Sequence, residues 1–324
     1  MKRREFITLL GGSAIAWSRI ARAQQATVPI VGFLDSSAAI GAKLNGFYEG
    51  LKTEGFIRNR NVAIEYHSAE GDYGRLPGLA ADLVNRKVTV IAAAGAAAAL
   101  AAKSATATIP VVFALDSDPV ELGLVTNLNH PAGTMTGVTD MAVQAEQKRL
   151  ELLHDFMPTA SALALLSNPA NPAAAIQARN ALAATAKIGL KVNVLRASTE
   201  DDFDKAFTAA VEARVAGLVI ADDELFSSRS GELAALALRH AVPAIYQHRE
   251  FAAAGGLISY GSSLGETYHQ VGAYAGLILK GGDPADLPVY QPSHAEFIIN
   301  VKTAKTLSVA VPQALIAAAT EVIE

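Results

Sequence analysis

The sequence predicts an α/β protein built as two doubly wound lobes, and three observations predict it. From Pro29 onward, short β-rich runs alternate with longer segments of helical period, the pattern of parallel sheets covered by helices. The rhythm halts at the turn cluster Asn129-His130-Pro131-Ala132-Gly133 and then restarts, so each half reads as its own unit. At 324 residues the chain also exceeds what a single core usually supports, about 250–300 residues.

The elements follow in order. Ile30 to Leu34 is a nearly continuous apolar run, as expected of a strand buried on both faces, and Ile40 to Glu54 follows as a helix closed by Gly55. Val62 to Tyr66 is the next strand. In Tyr73 to Arg86 the apolar positions Leu76, Leu79, Ala80, Leu83 and Val84 share one helical face. Val88 to Ala92 returns to strand, Ala96 to Lys103 has the helix propensity of alanine behind the turn at Gly95, and Val111 to Ala114 is a fourth strand. The second half opens with a helix over Ala142 to Phe156. Strands follow at Ala162 to Leu166, Lys191 to Leu195, Gly217 to Ala221 and Pro243 to Tyr246. Between them lie helices near Ala173 to Lys187, Glu200 to Arg214 and Ser228 to His240, with Ser198 expected as an N-cap and Asp201 three residues on. No low-complexity linker divides the halves, which predicts that they are joined by strands rather than by a tether.

The first 23 residues read as a removable signal peptide: Lys2, Arg3 and Arg4, an apolar run from Phe6 to Trp17, then Ala21-Arg22-Ala23 as the cleavage site. The apolar run is shorter than the roughly 20 residues a bilayer span needs. The paired arginines before Glu5-Phe6-Ile7 resemble a twin-arginine export signal. Cleavage takes five of the 27 basic and one of the 31 acidic side chains, leaving 22 and 30 and a formal charge of −8. Nucleic acid is an unsuitable partner at that charge. With no cysteine, disulfides, thiolate metal sites, cysteine nucleophiles and an N-terminal lipid anchor are excluded. The seven histidines show no spacing that would place two metal ligands on one helical face, and Asp35-Ser36-Ser37-Ala38-Ala39 stands where a dinucleotide fold needs its glycines, so neither a metal nor any other cofactor is expected.

Ligands of open α/β sheets bind beyond the carboxyl ends of the strands. That rule nominates Asp35-Ser36-Ser37, Gly95-Ala96-Ala97, Asp116-Ser117-Asp118, Asn168-Pro169, Asp222-Asp223 and the stretch from Tyr246 to Glu250.

At this point the sequence resembles a known family. Arg75-Leu76-Pro77, Ile109-Pro110-Val111-Val112-Phe113, Asp118-Pro119-Val120, Gly137-Val138-Thr139 and Lys148-Arg149-Leu150-Glu151-Leu152-Leu153 carry the likeness in the first part of the chain. Ala241-Val242-Pro243-Ala244-Ile245-Tyr246, Gly255 to Gly261 and Asn300-Val301-Lys302-Thr303-Ala304 carry it in the second. Together they resemble the periplasmic substrate-binding proteins of ABC transporters, in the tryptophan-import-like branch of the type I bilobal class. The resemblance implies two Rossmann-like lobes around a ligand cleft, joined by three crossings near Gly137–Val138, Leu257–Tyr260 and Asp283–Pro288. The first lobe would comprise 28–138 with 258–284, and the second 139–257 with 285–324. It implies a monomer that holds an amino acid or related carboxylate, aromatic ones included, and hands it to the membrane subunits of an ABC permease.

Within the nominated loops, Gly95 and Ala96 offer backbone N–H groups at a helix N-terminus to a ligand anion, with Ser36 and Ser37 nearby to supply the hydroxyl that the loop lacks. Asp116, Asp118 and Asp222 suit a ligand ammonium or hydroxyl, although Asp118 before Pro119 and the Asp222-Asp223-Glu224 run also read as helix caps, and Asp35 and Asn168 are ligand-binding candidates by their strand-end positions. Tyr246, Phe251 and Tyr260 are candidates for a flat wall, and Glu250 either reaches the ligand or braces Arg249. Two rivals remain at this stage. Gly261-Ser262-Ser263-Leu264-Gly265 matches the nucleophile elbow of a serine hydrolase, with His269, His294, Asp283 and Asp286 as the downstream partners available. A solute-binding sensor subunit would share the same cleft.

Overall fold

The computed structural model describes residues 28–38, 41–139 and 142–324, without the side chains of 142–144; the expected leader lies outside the described residues. Two sheets carry the fold. The first has five parallel strands in the order β2-β1-β3-β4-β5: β1 Ile30–Asp35, β2 Ala63–Ser68, β3 Val90–Ala94, β4 Val111–Leu115 and β5 Met135–Thr139. The second has seven, in the order β12-β11-β10-β9-β8-β6-β7: β6 Ala162–Ser167, β7 Lys191–Arg196, β8 Leu218–Ile220, β9 Ala244–Tyr246, β10 Ile258–Gly261, β11 Glu296–Asn300 and β12 Glu321–Ile323. β11 runs antiparallel to β10 and the other pairings are parallel. The expected doubly wound α/β class is what these sheets form.

Central strands such as β3 and β4 are buried at every position because helices cover both faces, which is why they read as unbroken apolar runs. In the first lobe, α1 (Gly41–Thr53) lies on one face, and α2 (Leu76–Asn85) and α3 (Ala96–Ala105) on the other. In the second, α4 (Ala142–Phe156) and α5 (Ala174–Lys187) pack opposite α6 (Phe203–Glu212), α7 (Glu224–Ser228) and α8 (Ser230–Arg239), with α9 (Arg249–Ala253) beside them. The α6 region is capped one residue later than expected: the capping box is Thr199 with Asp202, because the side chain of Asp202 accepts from the N–H groups of both Ser198 and Thr199.

The crossings also fall later than expected. β10 pairs with β9 and β11, so Ile258–Gly261 belongs to the second sheet and the chain crosses only after it. The next helix, α10 (Leu264–Leu279), returns to the first lobe and packs on α1 backbone to backbone. A Cβ on Gly46 would lie 2.3 Å from the Gly265 carbonyl oxygen, one on Gly50 1.9 Å from that of His269, and one on Gly272 2.1 Å from that of Phe47. Residues up to Tyr290 stay with the first lobe: the Tyr290 N–H donates to Gly137 and its carbonyl accepts from Thr139, both along β5. The third crossing is therefore 291–295, leading into β11, α11 (Val301–Thr306), α12 (Gln313–Ala318) and β12. No helix of the described residues is long and apolar enough to cross a membrane.

Candidate functional site

The loops at the carboxyl ends of β1, β3 and β4 meet those of β6 and β8 around a narrow, nearly closed cleft with room for about one water. One wall is the start of α3. Its N-cap, Gly95, has φ +90° and no side chain to cap with, so the capping bond comes from another loop: Ser36 Oγ accepts the Ala98 N–H at 3.2 Å and donates to the Ala94 carbonyl at 2.9 Å. The N–H groups of Ala96 and Ala97, first-turn donors that the helix itself cannot satisfy, are left at the cleft wall beside Asp116 and Ser117.

The opposite wall is acidic and braced. Arg149, fully buried on α4, donates to Asp222 Oδ2 at 2.7 Å and to the Tyr260 carbonyl at 3.2 Å. Gln177 Nε2 and Asn171 Nδ2 hold the Asp222 carbonyl at 2.7 and 3.2 Å. Asp223 caps α7 by accepting from the Leu225 and Phe226 N–H groups, and it also accepts from Asn168, Asn171 and, across the cleft, the Tyr73 hydroxyl at 2.8 Å. Burial pushes the Asp223 carboxyl up to about 6 against the pull of those hydrogen bonds. Behind the first wall, Asp35 accepts from the Lys43 ammonium at 3.0 Å, the Tyr66 hydroxyl at 2.9 Å and the Ser37 N–H at 3.1 Å.

Ser36, Gly95, Ala96, Asp116 and Asp222 line the cleft, together with Ala97, Ser117 and Asp223 of the same nominated loops and Glu224 beyond them, and the remaining nominations do not. Asp35 and Ser37 are buried behind the wall in the Lys43 cluster. Asp118 is exposed and caps its own turn through the Val120 and Glu121 N–H groups. Asn168 lies off the cleft lining and donates to both carboxylate oxygens of Asp223. Tyr246 is a core residue with its hydroxyl on Ser227 and the Asp223 carbonyl, Phe251 packs against it, and Tyr260 packs edge-on to Phe297. Glu250 lies on α9 away from the cleft, and Arg249 pairs with Glu321 instead of Glu250. The glycines of the elbow-like segment have packing roles: a Cβ on Gly261 would meet the Gln247 carbonyl at 2.6 Å, and Gly265 takes the close approach of Gly46. Ser263 is the N-cap residue of α10, and the His269 ring faces Thr53 at 3.2 Å.

Sequence reasoning missed Tyr73, Asn171, Gln177 and Lys43. Asn171 and Gln177 lie just past a nominated loop, so a wider reading of the same rule reaches them. Lys43 carries a different signal: it stands four and eight residues before Phe47 and Leu51, on the face of α1 that is buried. A lysine on a core stripe announces a buried partner.

The family model for ABC transporter substrate binding proteins matches residues 27–323. A tyrosine-binding protein of Clostridioides difficile is 27% identical over 262 residues, 81% of this chain and 75% of its own length. Among solved structures, a conserved domain protein from Vibrio cholerae superimposes with TM-score 0.85 at 25% identity, covering 91% of this chain and all of its own. An ABC domain in complex with L-Trp from Streptococcus pneumoniae gives 0.83 at 24% identity over 92% of this chain and all of its own. The ligand-free, open form of an adhesive substrate binding protein from Clostridium difficile gives 0.64 at 25% identity over 91% and 99%.

Proposed function

The chain belongs to the ABC transporter substrate binding protein family, and from that premise we propose that it carries an α-amino acid in the periplasm and delivers it to a membrane permease. The observation that carries the choice of ligand is the chemistry of the two walls. The α3 N-terminus, with the Ala96 and Ala97 N–H groups, suits a carboxylate, and Asp116 with the Arg149-braced Asp222 suits an ammonium group. A zwitterion touching both walls binds the closed form better than the open one, and only such differential affinity closes a cleft. The tyrosine- and tryptophan-binding relatives put aromatic amino acids first among the candidates. In this reading residues 28–139 with 264–290 and residues 142–261 with 296–324 are the two moving units. The leader is removed after Ala23, and the protein works as a diffusing monomer without catalysis.

A thermal-shift screen of the mature protein against amino acids and small carboxylates tests the proposal. A ligand at about 100 times its Kd adds about 2.7 kcal/mol to stability. Asp116→Asn is expected to weaken the best ligand at least about tenfold, the loss of one charge-assisted hydrogen bond. Failure of every amino acid to raise Tm overturns the ligand class.

A further inference from the structure

Lys43 has no exposed surface, and within its own lobe it has one carboxylate, Asp35. Its second comes from the other lobe: Glu224 Oε2 lies 2.8 Å from the ammonium. The same oxygen accepts from the Ser37 hydroxyl at 3.3 Å, and Oε1 accepts from the Tyr268 hydroxyl at 3.3 Å. The Tyr268 ring lies 5.4 Å from the ammonium. All four first-lobe partners are anchored in that lobe without Glu224: Asp35 and Ser37 at the end of β1, Lys43 on α1, and Tyr268 on α10. The approach is cleared as well. A Cβ on Gly95, whose φ of +90° already calls for glycine, would stand 2.7 Å from Glu224 Cγ, so the N-cap of α3 leaves that side chain room.

We propose that Glu224 is a built-in key for closure: its carboxylate leaves water on the second lobe and seats in a socket of Lys43, Ser37 and Tyr268 on the first. The protein's own side chain thereby supplies contacts across the cleft that a solute would otherwise have to supply alone. The mature protein therefore populates a closed form before any solute binds, and the residue that sets that population also lines the solute's cleft, two residues on from Asp222. The inference rests on the two lobes moving as units, and it is independent of which solute is carried.

The absence of cysteine makes the test direct, because introduced cysteines are unique labelling sites. Val120 of the first lobe and Leu182 of the second are exposed, at 40% and 48%. With Val120→Cys and Leu182→Cys carrying nitroxide labels, distances are measured by pulsed electron spin resonance on the solute-free protein. The parent is expected to show a short-distance, closed population. Glu224→Gln, which keeps the side chain's size and removes the charge that Lys43 pairs with, and Tyr268→Phe, which removes the socket's hydroxyl, are each expected to reduce the closed-to-open ratio at least tenfold. A parent showing only the long distance, or variants whose distributions match the parent's, overturns the proposal. Because no solute is added, neither outcome depends on the thermal-shift screen.

Discussion

Glu146 sits on α4 with 5% of its surface exposed, and burial, reinforced by the neighbouring Asp222 charge and opposed by Arg149, pushes its carboxyl up to about 8. In the unfolded chain a glutamate titrates near 4.3. An acid whose folded-state value is raised lends its full contribution below the unfolded value, and that contribution is lost as pH rises through about 8, since the unfolded chain sheds the proton first. Glu146→Gln is therefore expected to match the parent at pH 4 and to exceed it at pH 9 by about 1–3 kcal/mol, the scale of a poorly satisfied buried polar group. Denaturant melts across that range check it, and parallel pH profiles for the two proteins would refute it. The sequence places Glu146 on a helix and goes no further. The Asp222 charge that reinforces the shift lies 76 positions away on the loop after β8, and no local pattern encodes that meeting.

Among elements, the pairing of α1 with α10 shows what local sequence does and does not reveal. The helical period of Ile40 to Glu54 is readable, and the structure gives Gly41–Thr53. The purpose of its glycines is not, because Gly46 and Gly50 are costly inside a helix unless something needs the space. Here that something is the backbone of α10, 1.9 Å from a Cβ placed on Gly50. Gly50→Ala is expected to destabilise the protein by about 1–3 kcal/mol through overpacking. Gly78→Ala, on the exposed face of α2 with nothing within 4 Å, is expected to stabilise it by about 0.4–1 kcal/mol. Comparing their unfolding midpoints in denaturant decides the matter, and equal shifts would contradict the close-packing account. The crossing after β10 follows from the same contact, for the glycine interface draws α10 back to the first lobe once β10 has paired in the second sheet.

At the scale of the whole molecule, the export route proposed from the N-terminal sequence can be tested together with the fold. If the paired arginines direct folded export, Arg3→Lys with Arg4→Lys is expected to leave the protein in the cytoplasm at least tenfold enriched over the parent, measured by fractionation and immunoblot. Unchanged export would assign the leader to the unfolded route. The absence of cysteine suits either route, since neither would have a disulfide to form.

Composition, alternation of strand and helix, and strand-end loops were enough to determine the α/β class, four strands of each sheet, much of one cleft wall and Asp222 of the other, because buried parallel strands and amphipathic helices leave periodic traces along the chain. Ser36, Gly95, Ala96, Asp116 and Asp222 were legible because each lies directly at a strand's carboxyl end. Tertiary structure alone decided that Ser36 caps a helix from another loop, that Arg149 braces Asp222, that Tyr73 reaches Asp223, and that Lys43 meets Glu224. These contacts join residues as much as 181 positions apart, across two sheets. Periodicity records which face of an element is buried, whereas the partner on that face is set only when the lobes come together.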